Sequence, residues 1–132
     1  MKLTKNFIKS EFECKCGCVM PKDVLENIKL LAKQLQIIRD YVGQPISVNS
    51  GFRCKSHNSR IGSNDSSQHI LGKASDVTIK SFTPNEVANI VENMLTNEML
   101  TSVIPIAGFH IGGLGIYKTF NHIDIRESKA RW

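Results

Sequence analysis

The residues best suited to chemistry are His69 and Asp76, which close the two ends of His69-Ile70-Leu71-Gly72-Lys73-Ala74-Ser75-Asp76, together with a distant second imidazole, His122. Two imidazoles and a carboxylate form a mixed nitrogen and oxygen donor set that suits zinc, and three protein ligands leave a fourth coordination position for water. Zinc lowers the pKa of a bound water to about 7, which makes water a usable nucleophile at neutral pH. Gly72 and Ala74 are small where the chain must turn sharply between the two ligands. By spacing alone the same pattern also fits a surface-loop histidine beside a solvated or capping aspartate, a pairing that chance supplies in many proteins.

The elements that must position these side chains follow from periodicity. From Pro21 to about Val42 the residues Val24, Leu25, Ile28, Leu31, Leu35, Ile38 and Val42 recur at three- and four-residue steps, predicting a long amphipathic helix begun by Pro21 and ended at Gly43. Before it, Ser10 followed by Glu13 has the capping-box form and predicts a helical turn over Glu11 to Cys14. Pro45 to Ser50 alternates as a strand with Ile46 and Val48 inward. The stretch from Gly51 to Gly72 is polar and aperiodic, an irregular segment long enough to be functional. Asp76 to Ile79 alternates again, with Val77 and Ile79 toward the core and Asp76 facing the other way.

Thr83-Pro84-Asn85-Glu86 supplies an N-cap, a first-turn proline and a capping-box glutamate for a second helix running to about Leu100, with Val87, Ile90, Val91, Met94 and Leu95 on its buried face. Residues from Val103 to Arg126 are glycine-punctuated and β-like, and His122, Asp124 and Arg126 share one strand face opposite Ile123 and Ile125. The expectation is an α+β fold, a mostly antiparallel sheet with two main helices packed on one side, in a single domain over residues 1–132.

Composition agrees with a folded protein, at 41% hydrophobic and 22% charged residues. The formal net charge of +5 favours polyanions at long range, yet the basic residues are scattered, and clusters such as Arg53 with Lys55 and Arg60 read as solvated faces. No specific nucleic-acid interface is expected, since aromatic and basic residues are not interleaved. The N-terminal stretch is broken by charges and lacks the apolar run of a signal peptide, and no segment is long and apolar enough to cross a bilayer. A monomer made in the cytoplasm is the expectation. Cys14, Cys16 and Cys18 form one tight run and Cys54 lies apart. Free thiols, a structural zinc site at a spacing unlike the CxxC knuckle, and a disulfide to Cys54 all remain open.

The segments FIKSEFECK, PISVNSGFRCKSHN, SSQHILGKASDV, GGLGIY, HIDIR and KARW span nearly the whole chain. In that order they resemble the zinc D-alanyl-D-alanine carboxypeptidase family, peptidase family M fifteen type A, and within it the short single-domain branch of bacteria, prophages and phage lysins. The SxHxxGxAxD pattern is matched at Ser67, His69, Gly72, Ala74 and Asp76. The resemblance implies a fold like that of the hedgehog domain and the D-Ala-D-Ala peptidases, and one catalytic Zn2+ held by His69, Asp76 and His122. It implies hydrolysis of peptidoglycan stem peptides or their cross-links, as a carboxypeptidase or endopeptidase, and so cell-wall degradation, with delivery by a holin, a phage particle or lysis. Arg53 of the SGFR motif takes the place of the arginine that binds the substrate's carboxylate or carbonyl oxygen, a task a guanidinium fork suits. Ser67 likewise occupies a substrate-contacting position, and Phe52 replaces the usual tyrosine.

The general base is where the chain departs from its better-known relatives, which carry Glu or Asp three residues before the last histidine ligand. Here that residue is Thr119, which cannot act as a base at neutral pH. Asp124 is the nearest carboxylate, on the same strand face as His122 at a Cα separation of roughly 7 Å. It is the expected base, with His57 as the alternative; its competing role is to orient a ligand imidazole. His110 is the rival to His122, Tyr117 is expected to line the cleft, and Trp132 to pack the C-terminus against the core. The alternative reading is a zinc-stabilised module that binds wall or protein without turnover, which the threonine at position 119 favours and which the metal-bearing hedgehog domain exemplifies.

Overall fold

The computed structural model describes residues 1–96 and 108–132. Helix α1, Lys22–Val42, buries Val24, Ile28, Leu31, Ala32, Leu35 and Ile38, the stripe its three- and four-residue spacing predicts. It stops where Gly43 takes a left-handed conformation and donates its N–H to the Arg39 carbonyl at 3.0 Å. Helix α3, Pro84–Thr96, opens on a reciprocal cap: the Glu86 N–H donates to Thr83 Oγ1 at 3.2 Å and the Thr83 N–H donates to Glu86 Oε1 at 2.9 Å. Its face of Val87, Ala88, Val91 and Met94 is buried. The expected continuation to Leu100, and the start of the β-like region at Val103, lie outside the described residues.

Five strands form one sheet: β1 Ile46–Ser50, β2 Ala74–Ile79, β3 Gly113–Ile116, β4 Asn121–Asp124 and β5 Ala130–Arg131. Their order is β1-β2-β4-β3-β5, and every pairing is antiparallel except β3 with β5. Because strand side chains alternate between faces, Val77, Ile79, Leu114 and Ile123 enter one hydrophobic cluster with Ile28, Leu31, Leu35, Ile38, Val87 and Val91 of the two long helices. The other face carries Asp76, His122 and Asp124. The molecule is therefore α+β with a mostly antiparallel sheet. No described helix is long and apolar enough to cross a membrane.

Three local expectations are corrected. Ser10 and Glu13 do not form the first cap; the turn is a 3-10 segment over Lys9–Phe12, and Glu11 Oε1 accepts the Ile8 N–H at 2.9 Å. A short helix, α2 at Lys55–Arg60, interrupts the stretch expected to be irregular. Its sequence KSHNSR has no apolar stripe, so periodicity has nothing to detect. Strand β4 ends at Asp124 rather than continuing to Arg126, whose N–H is taken by the Asp124 carboxylate at 3.1 Å instead of by a neighbouring strand.

The Thr83 cap can be tested alone, since it touches the body of the fold and not the polar sheet face. Thr83→Ala is expected to cost about 1 kcal/mol, lowering the thermal midpoint by a few degrees while leaving metal content unchanged; no shift on calorimetry would contradict the role given to the cap.

Candidate metal centre

Strands β2 and β4 lie side by side with Asp76 opposite His122, so two side chains far apart in the chain start from neighbouring positions on the sheet face away from the hydrophobic core. The third, His69, sits in a run of tight turns closed by Ile70 N–H to the Ser67 carbonyl at 3.2 Å and Gly72 N–H to the His69 carbonyl at 3.2 Å. Ser67 Oγ also accepts the His69 N–H at 3.2 Å. These turns bring the imidazole over the sheet just before β2 begins.

The ring orientations are set from behind. His69 Nδ1 lies 2.7 Å from the Gly51 carbonyl, an acceptor that requires the proton on Nδ1, and Nε2 is left buried without a hydrogen-bond partner. On His122 the roles are exchanged: Nε2 meets Asp124 Oδ2 at 2.7 Å, so Nδ1 faces the centre. His69 Nε2 and His122 Nδ1 stand 3.3 and 3.4 Å from the same oxygen, Asp76 Oδ1. The three ligand atoms all lie within 4.8 Å of one another. A tetrahedral ion with bonds of about 2.0–2.1 Å spaces its ligands about 3.3–3.4 Å apart. The donor set, its spacing and the partnerless His69 Nε2 all fit a metal ion of that size.

Asp124 is fully buried and engaged on every side. Oδ1 accepts the Gly113 N–H at 2.9 Å and the Arg126 N–H, and Arg126 Nε and Nη2 donate to Oδ2 at 2.9 and 2.6 Å. Glycine is required on β3 for this arrangement. A Cβ at Gly113 would stand 2.1 Å from Asp124 Oδ2, and one at Gly115 would stand 2.6 Å from the Trp132 indole nitrogen.

Electrostatics follow this wiring. Burial alone would raise the Asp76 carboxyl, but the His122 and His69 imidazoles hold it well below the usual carboxylate range. Burial would likewise raise Asp124, and the hydrogen bonds from His122 and Arg126 hold it low. His122 is pushed up, the desolvation that would lower it being overcome by Asp124 and Asp76. Burial pulls the Arg53 guanidinium down, against the charge of Asp76.

The centre opens on a cleft of about 460 Å³ walled by Arg53, Ser67, Tyr117, Phe120, Arg126 and Trp132 among others. Arg53 is buried, and its Nε has no partner. Tyr117 stacks on Phe120 at 4.6 Å between centroids and accepts the Trp132 Nε1–H at 2.8 Å. Trp132 does not pack into the core; its ring stands 4.8 Å from that of His122 and 5.3 Å below the Arg126 guanidinium. Arg126 and Trp132 are thus cleft residues that periodicity missed. The available signals were the strand face Arg126 was expected to share with His122 and Asp124, and the KARW segment. His57 lies on α2 and does not line the cleft, and Thr119 is exposed in the β3–β4 turn. His110 is exposed, with Nε2 on the Arg126 carbonyl at 2.9 Å, away from the ligands. Among the described residues, Asp76 is the one carboxylate that lines the cleft.

Two measurements follow from this wiring. Replacing Asp124 by Asn removes the charge behind His122, and metal affinity should fall about 10- to 100-fold in competition with a chromophoric chelator; unchanged affinity would detach Asp124 from the centre. In chelator-stripped protein, the raised His122 contributes stability that is complete below about pH 6.5 and lost as pH rises through its folded value. The depressed Asp76 and Asp124 contribute stability that is present above about pH 3.9 and lost as pH falls through their folded values. Denaturant midpoints should therefore fall on both the acid and the alkaline side, and Asp124→Asn should flatten both limbs.

The family model described as Peptidase M15 matches residues 2–124, a span that includes His69, Asp76, His122 and Asp124. No curated protein matches the chain. With that match over most of its length and a His–Asp–His set able to hold a metal, the chain belongs to the Peptidase M15 family and is a metallopeptidase by family.

Proposed function

We propose that the protein is a zinc peptidase of the D-alanyl-D-alanine carboxypeptidase type that hydrolyses peptide bonds of bacterial peptidoglycan, as a carboxypeptidase or as an endopeptidase of the phage-lysin kind. The observation that carries this reading is a convergent nitrogen and oxygen donor set on the floor of an open cleft whose wall holds a buried arginine with a partnerless Nε. Zinc, when bound, supplies a Lewis acid that activates water and offsets charge developing on the carbonyl oxygen.

The chain's own residues divide the remaining work. His69 Nε2, Asp76 Oδ1 and His122 Nδ1 hold the ion. Gly51 and Asp124 hold the two imidazoles in the tautomers that keep those nitrogens free. Arg53 is desolvated before substrate arrives, so its guanidinium meets a carboxylate or carbonyl oxygen with little further loss of hydration. Ser67 shapes the turn under His69 and presents its hydroxyl to the cleft. Tyr117, Phe120 and Trp132 form an aromatic wall suited to the apolar side of a stem peptide.

Asp124 is better suited to positioning than to proton abstraction, since His122, Gly113 and Arg126 already occupy its lone pairs. His57 is outside the cleft, which argues against it as the base. The same observation favours a second reading, a zinc-stabilised module that binds the wall without turnover, because Asp76 is the one cleft carboxylate among the described residues.

Digestion of purified peptidoglycan from several wall types, read by mass spectrometry with and without chelator, separates the two. Chelator-sensitive release of peptide fragments supports the peptidase; tight wall binding with no cleaved bond in any wall type supports the module. For the peptidase, Arg53→Met should lower kcat/KM about 10- to 100-fold, the worth of a charge-assisted hydrogen bond, mainly through KM and with metal content retained. Unaltered kinetics would remove Arg53 from substrate binding.

A further inference from the structure

A second cluster lies outside the cleft. Cys14, Cys16, Cys18 and Cys54 present four sulfur atoms that all lie within 4.8 Å of one another. We propose that these cysteines hold a second, structural zinc-class cation, distinct from the one at His69, Asp76 and His122, which clamps the N-terminal segment to the loop that carries Arg53.

The sulfur geometry is that of a metal cage. Cys14 and Cys16 are separated by 3.3 Å, Cys16 and Cys54 by 3.6 Å, and Cys14 and Cys54 by 3.9 Å. A tetrahedral ion with Zn–S bonds of about 2.3 Å places its sulfurs about 3.8 Å apart, whereas a disulfide brings two of them to about 2.0 Å. The unusual CxCxC spacing is accounted for locally. A tight turn over Lys15 and Cys16, closed by the Gly17 N–H on the Cys14 carbonyl at 3.0 Å, folds the run back on itself so that three sulfurs meet the fourth.

The surroundings suit thiolates. The Cys54 N–H donates to Cys14 Sγ and the His57 N–H to Cys54 Sγ, both at 3.5 Å. Four thiolates this close repel one another strongly unless a cation sits among them. An all-sulfur set selects zinc or a similarly soft ion over magnesium or calcium, and four protein ligands leave no position for water, which marks a structural site. The segment also needs such a tie. Residues 14–20 form no helix or strand; Cys14 and Met20 are buried at the two ends, but Cys16 and Val19 between them are exposed, so the middle of the segment has little apolar burial to hold it.

The clamp would act on the cleft through one short strap. Phe52 N–H donates to the Phe12 carbonyl at 2.8 Å, Arg53 N–H to the His69 carbonyl at 3.1 Å, and the Gly51 carbonyl receives His69 Nδ1. Cys54 ends that strap. An ion at the sulfurs therefore pins the backbone that aims both Arg53 and His69, although none of the four cysteines lines the cleft.

The test uses the full chain prepared under reducing conditions. Metal content by mass spectrometry should be one ion per chain higher than in the Cys14→Ser/Cys54→Ser variant, and a His69→Ala/His122→Ala variant should lose the other ion and keep this one. Cobalt loaded into that histidine variant should show sulfur-to-metal charge-transfer absorption, and its four thiols should react with a thiol reagent only after chelation. The cobalt spectrum and thiol protection need no cysteine variant, so they decide the matter even where serine substitution prevents folding. Equal metal content in the cysteine variant, a cobalt spectrum without sulfur bands, or an intact mass lower by two hydrogens, the mark of a disulfide, would each overturn the proposal. None of these readouts depends on peptidase activity, so they stand or fall apart from it.

Discussion

Everything on the polar face of this protein depends on three lone pairs, from His69 Nε2, Asp76 Oδ1 and His122 Nδ1, being held toward one point. Leaving a buried nitrogen such as His69 Nε2 without a partner costs about 1–3 kcal/mol, and a fold keeps such a cost only where a ligand can relieve it. The antiparallel register of β2 with β4 sets two of the three side by side. The turns after Ser67 bring in the third. A slip of one residue in that register would send Asp76 or His122 into the apolar core.

Rigidity comes from the atoms behind the ligands. One imidazole is fixed by a backbone carbonyl, Gly51, and the other by a buried carboxylate, Asp124, which Arg126 and the Gly113 N–H hold in turn. The glycines of β3 are part of the same arrangement, since the Asp124 carboxylate and the Trp132 ring occupy the space their side chains would need. The negative charge of Asp124 raises the basicity of His122, which strengthens it as a ligand and also makes protons its competitors.

The two cationic side chains of the cleft have different duties for a physical reason. Arg126 is spent on Asp124 and on the face of Trp132, so its charge is largely answered within the protein. Arg53 is buried with a partnerless Nε, and its charge is available to an incoming anion. By charge and residue type alone the two arginines are equivalent. Burial and partners separate them physically, in agreement with the role the SGFR resemblance implies for Arg53.

Local pattern alone sufficed for α1, α3, β1 and β2, because an apolar stripe of period near 3.6 or 2 requires a matching element wherever the chain later packs. The donor set was legible only through the resemblance of the SxHxxGxAxD and HIDIR segments to a peptidase family, since by spacing alone a surface-loop histidine beside an aspartate fits equally well. Helix α2 and strand β5 were not, one having no apolar face and the other only two residues. Which nitrogen of each imidazole faces the centre, whether Asp124 has a free lone pair, and where Trp132 and the four cysteine sulfurs end up were decided by the tertiary structure. Each of these depends on a partner brought from far along the chain, Gly51 for His69 and Cys54 for Cys14, and no local periodicity records such a pairing.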